Sequence, residues 1–137
     1  MKESAIDYKQ PLILIVDDHK DNLLFASYVI ESLGMRPAIT DNSEKCLKLV
    51  KILLPDLILL DIVMPVLSGL EITRIIKQDS QTCHIPIIAV TGLTRPKDTS
   101  QIIEVGFDDY IIKPYLIEEL ESKIYNYLKH PWTEIRR

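Results

Sequence analysis

Short apolar runs alternate with longer segments of helical periodicity along this chain. Leu12–Val16 is apolar throughout, as expected for a parallel strand that is buried on both faces. Apolar runs within Asp56–Leu60 and Ile85–Val90 predict two further strands, and the less apolar segments Arg36–Thr40 and Asp109–Ile112 predict two more. The pattern therefore predicts five strands, with the second at an edge of the sheet and the third near its centre.

Apolar residues between and after these strands recur three or four positions apart, as on one face of a helix. The predicted helices are Asp21–Leu33, a segment capped within Asp41–Ser43, Leu70–Lys77, Pro96–Val105 and the segment from Leu116 to Leu128. Strands that alternate with helices of roughly ten residues imply right-handed βαβ units. The chain is therefore predicted to be an α/β protein with a doubly wound, five-stranded parallel sheet, compatible with the flavodoxin-like order 2-1-3-4-5.

Composition limits the possible classes of protein. The chain has 137 residues, 47% of them hydrophobic, and a net charge of −4, which fits one domain with its own core. We predict an N-terminal extension (1–10), a domain (11–129) and a short C-terminal tail (130–137). Without a basic patch, a signal peptide or an apolar run of roughly 18 residues, we expect a soluble cytoplasmic protein that binds neither nucleic acid nor membrane.

The cysteines and histidines do not form a pattern typical of a metal site or a disulfide framework. Cys46 and Cys83 are isolated in the sequence, so we predict two small core residues in a reducing compartment. His19, His84 and His130 have no second ligand at metal or triad spacing, and we predict that all three are surface or loop residues.

Polar residues follow four of the five apolar runs. They are Asp17-Asp18, Asp61, Thr91 and Lys113. Because the carboxyl ends of parallel strands meet at one edge of a sheet, where ligands bind, we expect these side chains to converge. The carboxylates would hold a hard cation through oxygen, and one of them could attack a phosphoryl group. Thr91 and Lys113 could then bind the phosphoryl oxygens.

Five motifs surround these residues in a fixed order. They are Ile13–Asp18 with Asn22, Asp61–Pro65 with Ser68-Gly69, Pro86–Gly92, Gly106–Tyr110, and Lys113-Pro114. In this combination the chain resembles the receiver domain of two-component response regulators over nearly its whole length, from about Leu12 to Leu128. The 137 residues hold no second domain beside this region, so we expect the stand-alone, single-domain type.

The resemblance implies a phosphoacceptor chemistry for the polar edge. Asp61 would accept a phosphoryl group from a histidine kinase or a histidine phosphotransfer protein, with Mg²⁺ as cofactor. Asp18 and Asp61 would be direct ligands of the ion, Asp17 would act through water, and the backbone carbonyl of Val63 would complete the set. In the same family, Lys113 would contact the acceptor or its phosphoryl group.

The resemblance also implies a conformational switch. Thr91 would move toward the phosphoryl oxygen and Tyr110 would turn inward, repacking the surface of the fourth helix, fifth strand and fifth helix. In the family the Lys113–Pro114 bond is cis.

Two surfaces are expected to bind partners. The donor would be recognised by the first helix, near Asn22, Leu23 and Ala26. The output surface would serve an unknown downstream protein or a homodimer, and we expect it near Ile102, Ile103, Tyr110, Tyr115 and Tyr125.

Two apolar positions beside the acceptor predict a long-lived phosphoryl group. Val63 and Leu93 stand two residues after Asp61 and Thr91, where the family often carries polar side chains that orient an attacking water. We therefore expect slow self-dephosphorylation and a long-lived signal.

Other functional classes fit these residues less well or stay open beside the receiver interpretation. An aspartyl-nucleophile hydrolase commonly needs a second acid two residues after the nucleophile, but position 63 is valine. A dinucleotide-binding domain needs a glycine-rich loop, which the scattered glycines do not make. A phosphorylation-independent interaction module on a receiver scaffold and a receiver fragment of a longer regulator both stay open.

Overall fold

The computed structural model describes residues 10–92 and 95–128. Within them, five parallel strands form one sheet in the order β2-β1-β3-β4-β5. The strands are β1 (Leu12–Val16), β2 (Arg36–Thr40), β3 (Leu57–Asp61), β4 (Ile87–Thr91) and β5 (Asp109–Ile112). The helices are α1 (Lys20–Ser32), α2 (Ser43–Leu53), α3 (Gly69–Gln78), α4 (Pro96–Val105) and α5 (Ile117–Tyr127). The predicted fold class, the edge position of β2 and the central position of β3 are confirmed.

Alternate residues of the central strands fill two separate cores, one on each face of the sheet. One face of β1 and β3 packs against α1 and α5, through residues that include Ile13, Leu59, Ile30 and Ile124. The opposite face packs against α2, α3 and α4. Because β1, β3 and β4 are covered on both sides, their residues are apolar almost without interruption.

Local sequence signals fix several helix ends. Asn42 caps α2 by accepting a hydrogen bond from the Lys45 N–H at 2.9 Å. Ser68 and Glu71 form a reciprocal capping box at the start of α3. Gly106 ends α4 at a φ of 114°, a left-handed conformation that glycine adopts without steric cost. The Lys113–Pro114 peptide bond is cis.

Three predictions need correction. β3 and β4 each end one residue later than predicted, so Asp61 and Thr91 are the last strand residues, and they begin one and two residues later, at Leu57 and Ile87. Because both residues are polar, the hydrophobic pattern placed them just outside the strands, although a buried strand end can carry a functional side chain. Cys83 was predicted to be a core residue but is exposed, whereas Cys46 is buried. Cys83 lies in the turn that follows α3, and the neighbouring Thr82 takes the buried position.

The predictions for Leu93, His130 and the two terminal segments fall outside the described residues. Across the described ranges, no helix has both the length and the apolar character required to cross a membrane.

Candidate functional site

The parallel register brings four strand ends together at one edge of the sheet. Val16 pairs with Leu60, Asp61 with Val90, and Thr91 with Ile112. The polar residues at these ends therefore occupy neighbouring positions: Asp17 and Asp18 after β1, Asp61 on β3, Thr91 on β4 and Lys113 after β5. All of the side chains predicted to converge lie at this edge.

Asp17 is buried, and both of its carboxylate oxygens have partners. Its Oδ1 accepts the backbone N–H of His19 at 2.8 Å. Its Oδ2 lies 3.2 Å from the Asn22 amide nitrogen and 3.3 Å from the Lys113 ammonium. Asp17 thus anchors the start of α1 and the chain after β5 to the same carboxylate, which leaves it less free to bind an ion directly than Asp18.

Asp61 is a buried carboxylate, only 5% exposed, at the end of the central strand. Its Oδ2 lies 3.4 Å from the Lys113 ammonium, and its Oδ1 accepts the backbone N–H of Val63 at 3.2 Å. Burial raises the pKa of Asp61 above its usual value. The Lys113 charge opposes this rise and the negative charge of Asp17 adds to it. A positive charge at this edge therefore favours the ionised, nucleophilic form.

Asp18 and His19 complete the acidic edge. The His19 Nδ1 atom lies 3.1 Å from Asp18 Oδ1 and 3.3 Å from Asp17 Oδ1. The prediction of His19 as an exposed loop residue is correct, since its side chain is 68% exposed. The expectation that it has no second ligand at metal spacing is wrong. The tight turn after β1 folds the imidazole back onto the two preceding carboxylates, and its position directly after the acid pair is the sequence signal.

The described residues include one group with metal-ligand spacing, formed by Asp17, Asp18, His19 and Asp61. One candidate ligand atom from each lies within 4.8 Å of all the others. Three carboxylates are oxygen donors suited to a hard divalent cation such as Mg²⁺. The donor set therefore fits the predicted ion.

The loop between β3 and α3 closes tightly over the backbone of the acceptor strand. The Ser43 hydroxyl lies within hydrogen-bonding distance of the Pro65 carbonyl (3.1 Å) and the Leu67 carbonyl (2.8 Å). The Gly69 N–H donates to the Ile62 carbonyl at 2.8 Å. Val66 has a φ of 73° and is 82% exposed, which is an uncommon backbone conformation for a β-branched residue.

Thr91 and Tyr110 lie on neighbouring strands at the predicted switch positions. Thr91 is fully buried, and its carbonyl accepts the Lys113 N–H at 2.8 Å. Tyr110 pairs in register with Ala89, two residues before Thr91. Since side chains alternate along a strand, Thr91 and Tyr110 face the same side of the sheet. Tyr110 is half-buried against the core beneath α4, with the Lys123 ammonium 5.9 Å from its ring centre.

A cavity of about 490 Å³ opens beside Asp17 and Lys113, between α1 and the chain after β5. Phe25 and Tyr115 line it, with ring centres 6.0 Å apart. Leu23 and Ala26, which were expected to contact a donor, are instead buried in the core. The exposed apolar residues of α1 are Leu24, Phe25 and Tyr28.

The predicted output surface is also corrected in part. Ile102 is buried, and Tyr115 packs against the core on the α1 side rather than beside α4. Ile103 remains exposed on α4.

Comparisons with known proteins agree on one family. A family model described as the response regulator receiver domain matches residues 13–125. The polar-differentiation response regulator DivK of Brucella anthropi is 37% identical over 85% of this chain and 94% of its own length. A probable cyclic di-GMP phosphodiesterase of Vibrio cholerae is 38% identical over 93% of this chain. The matched region is only 29% of that phosphodiesterase.

Solved structures share the same architecture. Chemotaxis protein CheY4 of Vibrio cholerae has a TM-score of 0.82 at 24% identity, over 87% of this chain and 99% of that chain. The receiver domain of sensor histidine kinase PA1611 from Pseudomonas aeruginosa has a TM-score of 0.81 at 28% identity, over 87% and 98%. It was solved with a magnesium ion coordinated in its active site cleft.

Proposed function

Because this chain belongs to the response regulator receiver family of two-component signalling, we propose that it accepts a phosphoryl group on Asp61 from the phosphohistidine of a kinase or phosphotransfer protein. The observation that carries the proposal is the buried Asp61 carboxylate 3.4 Å from Lys113 at the end of the central strand. A carboxylate oxygen forms a bond to phosphorus while the bond from phosphorus to the donor nitrogen breaks. The imidazole leaves with that electron pair.

The chain's own residues hold the acceptor in place before the transfer. The Val63 N–H and the Lys113 ammonium fix the two oxygens of Asp61 from different directions. Lys113 also contacts Asp17, so its ammonium group is held between two carboxylates, within reach of an oxygen of a phosphoryl group on Asp61. Such positioning and charge neutralisation account for most of the catalysis in phosphoryl transfer.

We assign the ion-binding positions to Asp18 and Asp61 as direct ligands, Asp17 through water and the Val63 carbonyl. This assignment is supported by the acidic group at the strand ends. Mg²⁺, when bound, supplies positive charge that offsets the charge on the transferring group.

The signal is proposed to leave through Thr91 and Tyr110. Movement of the Thr91 hydroxyl toward a phosphoryl oxygen would free space on the face of the sheet that Tyr110 shares. The ring can then turn inward past Ala89, the small residue beside it on β4. The surface altered by this turn comprises the exposed Ile103 on α4 with the half-buried Tyr110 on β5 and Lys123 on α5, and it is the proposed site for a downstream protein or a second copy.

The phosphoryl donor is proposed to dock beside the cavity at α1. Phe25 lines this cavity together with Asp17 and Lys113, and Leu24 and Tyr28 are further exposed apolar residues of the same helix. An apolar patch of this kind is typical of a protein-binding surface. The cytoplasmic location expected from the sequence stays a prediction.

The phosphorylated form is proposed to be long-lived. Val63 is 62% exposed beside the acceptor and has no polar side-chain atom to orient a water. Val63→Gln should shorten the phosphoryl half-life by roughly tenfold, because a positioned polar group assists attack by water. Loss of the phosphoryl group is followed by intact mass at neutral pH, and a wild-type half-life of only seconds would contradict the hypothesis.

Intact mass after incubation with acetyl phosphate tests the main proposal. With Mg²⁺ the protein should gain one phosphoryl group, and the gain should be lost without Mg²⁺ and in Asp61→Asn. Asp56→Asn is the matched control, because Asp56 precedes the same strand at its opposite end. No gain under any condition, in a folded protein, would favour the phosphorylation-independent module. Size-exclusion chromatography of the same samples tests for phosphorylation-driven dimers.

A further inference from the structure

The histidine beside the acid pair gives this site a ligand that the oxygen-only assignment does not use. His19 is the N-cap residue of α1, yet its side chain makes no capping hydrogen bond. Serine, threonine, aspartate or asparagine would be preferred there for helix stability. The imidazole instead turns toward the carboxylates of Asp17 and Asp18. Because the His19 side chain does not cap the helix and lies beside two carboxylates, its position is better explained by a role in the site than by helix stability.

The spacing of these atoms suits one ion bound by both residues. His19 Nδ1 lies 3.1 Å from Asp18 Oδ1. Two ligands at right angles around a six-coordinate ion, each about 2.1 Å from it, are separated by about 3.0 Å. A carboxylate oxygen of Asp61 also lies within 4.8 Å of the ligand atoms of Asp18 and His19. The imidazole and two carboxylates can therefore act together with little rearrangement.

We propose that His19 is an additional metal ligand at this site and raises its affinity for the later first-row transition ions, such as Co²⁺ and Ni²⁺, relative to Mg²⁺. Oxygen ligands suit Mg²⁺, whereas imidazole favours the later transition ions, whose affinity rises along the series toward copper. Asp18, Asp61 and His19 would then give a mixed oxygen and nitrogen set. The proposal rests on the proposed metal site but not on phosphorylation of Asp61.

Isothermal titration of metal ions into the metal-free protein tests the proposal, with Ni²⁺ as the nitrogen-seeking probe and Mg²⁺ as the oxygen-seeking one. His19→Gln should weaken Ni²⁺ binding by at least about tenfold, in line with the loss of one ligand. Its Mg²⁺ affinity should stay the same or rise, because Mg²⁺ does not depend on imidazole. The proposal is overturned if both affinities fall by the same factor, or if neither changes.

Other exposed ligands must be separated from the site. His84 is exposed next to the exposed Cys83, so His84→Gln is the matched control and should leave Ni²⁺ binding unchanged. Asp18→Asn should also weaken Ni²⁺ binding, and the double variant with His19→Gln should lose less than the sum of the two single effects, since both residues bind one ion. Two Ni²⁺ equivalents, one weakened only by His19→Gln and the other only by Asp18→Asn, would indicate two independent binding places and would contradict the shared site.

The metal titration tests the role of His19 without any phosphoryl transfer. Failure of the acetyl phosphate reaction with intact Ni²⁺ binding would count against the acceptor function alone. Intact phosphorylation with unchanged Ni²⁺ binding in His19→Gln would count against the role of His19 alone.

Discussion

Gly69 sets how closely the loop after β3 can approach the acceptor strand. A Cβ atom built on Gly69 would lie 2.5 Å from the Asp61 carbonyl oxygen and 2.7 Å from the Ile62 Cα. Both are backbone atoms of the segment that carries the acceptor, so the clash cannot be relieved by rotating a side chain. Gly69→Ala should destabilise the protein by about 1–3 kcal/mol and slow phosphorylation by acetyl phosphate. Thermal unfolding and intact mass measure the two effects.

Gly92 provides the matched control for Gly69. A Cβ atom built there meets none of the described atoms within 4 Å. Alanine restricts the unfolded chain more than glycine does, so Gly92→Ala should leave the melting temperature unchanged or raise it slightly. If Gly69→Ala has the same melting temperature as the wild type, the loop can move away without loss of stability, and the proposed tight closure would be wrong.

At the scale of elements, α3 carries a polar atom that its packing does not satisfy. Thr73 is fully buried, and its hydroxyl has no hydrogen-bond partner among the described residues. An unsatisfied buried hydroxyl costs free energy that valine, of similar shape, would not. Thr73→Val should therefore raise the melting temperature by roughly 3–4 °C, which corresponds to about 1 kcal/mol. Calorimetry on the metal-free protein checks this.

Thr82 is the opposite case in the turn after the same helix. It is also buried, but its hydroxyl donates to the Ile76 carbonyl at 2.8 Å. Thr82→Val removes that bond and leaves the carbonyl with one fewer partner, so it should lower the melting temperature while Thr73→Val raises it. Shifts of the same sign in both variants would mean that the hydroxyls do not differ as the structure indicates.

An ion pair joins the last turn of α2 to the residue after α3. The Lys51 ammonium lies 2.8 Å from Asp79 Oδ2, and this hydrogen bond, with a backbone N–H from Gln81, lowers the pKa of Asp79. Because the folded pKa lies below the unfolded one, the stabilisation is present above the unfolded pKa and is lost as the pH falls through the folded value.

Asp79→Asn tests this connection between α2 and α3. Asparagine keeps an acceptor for Gln81 but loses the charge. Its melting temperature at pH 7 should fall by less than about 3 °C, because the pair is partly exposed to water. The difference in melting temperature between Asp79→Asn and the wild type should disappear well below pH 4, where the Asp79 carboxyl group is protonated in both the folded and the unfolded state. A difference that persists there would assign the effect to the turn rather than to the charge.

At the scale of the whole molecule, hydrophobic patterning predicted the fold because the sheet is buried on both faces. Strands such as Leu12–Val16 are continuous apolar runs, and the turns between them carry capping residues. The hydrophobic pattern alone misplaced the ends of β3 and β4, because Asp61 and Thr91 are polar residues inside strands. The convergence of the four polar strand ends followed from topology, since a parallel sheet brings its carboxyl ends to one edge.

Features that depend on side-chain direction could not be obtained from the pattern. His19 follows the acid pair directly in the sequence, but only the backbone turn decides whether its ring faces them or solvent. Ile102 and Ile103 are chemically identical neighbours on α4, yet one is buried and the other is 65% exposed. Cys83 was expected in the core, but its neighbour Thr82 is the buried residue, because a turn has no fixed periodicity from which this could be predicted.

The two cysteines report on how the whole molecule opens. Cys46 is fully buried in the core beneath α2, α3 and α4, and burial raises the pKa of its thiol to about 12. Cys83 is exposed. Since the thiolate is the reactive form, iodoacetamide at pH 8 should add one group quickly, at Cys83. Cys46 should react at least about 1000-fold more slowly, through opening of the core.

Cys83→Ser isolates the slow reaction for mass spectrometry, and guanidinium chloride should make both thiols react. Fast labelling of Cys46 in native buffer would mean that α2 separates locally from the sheet, and the core on that face would then not be a single cooperative unit.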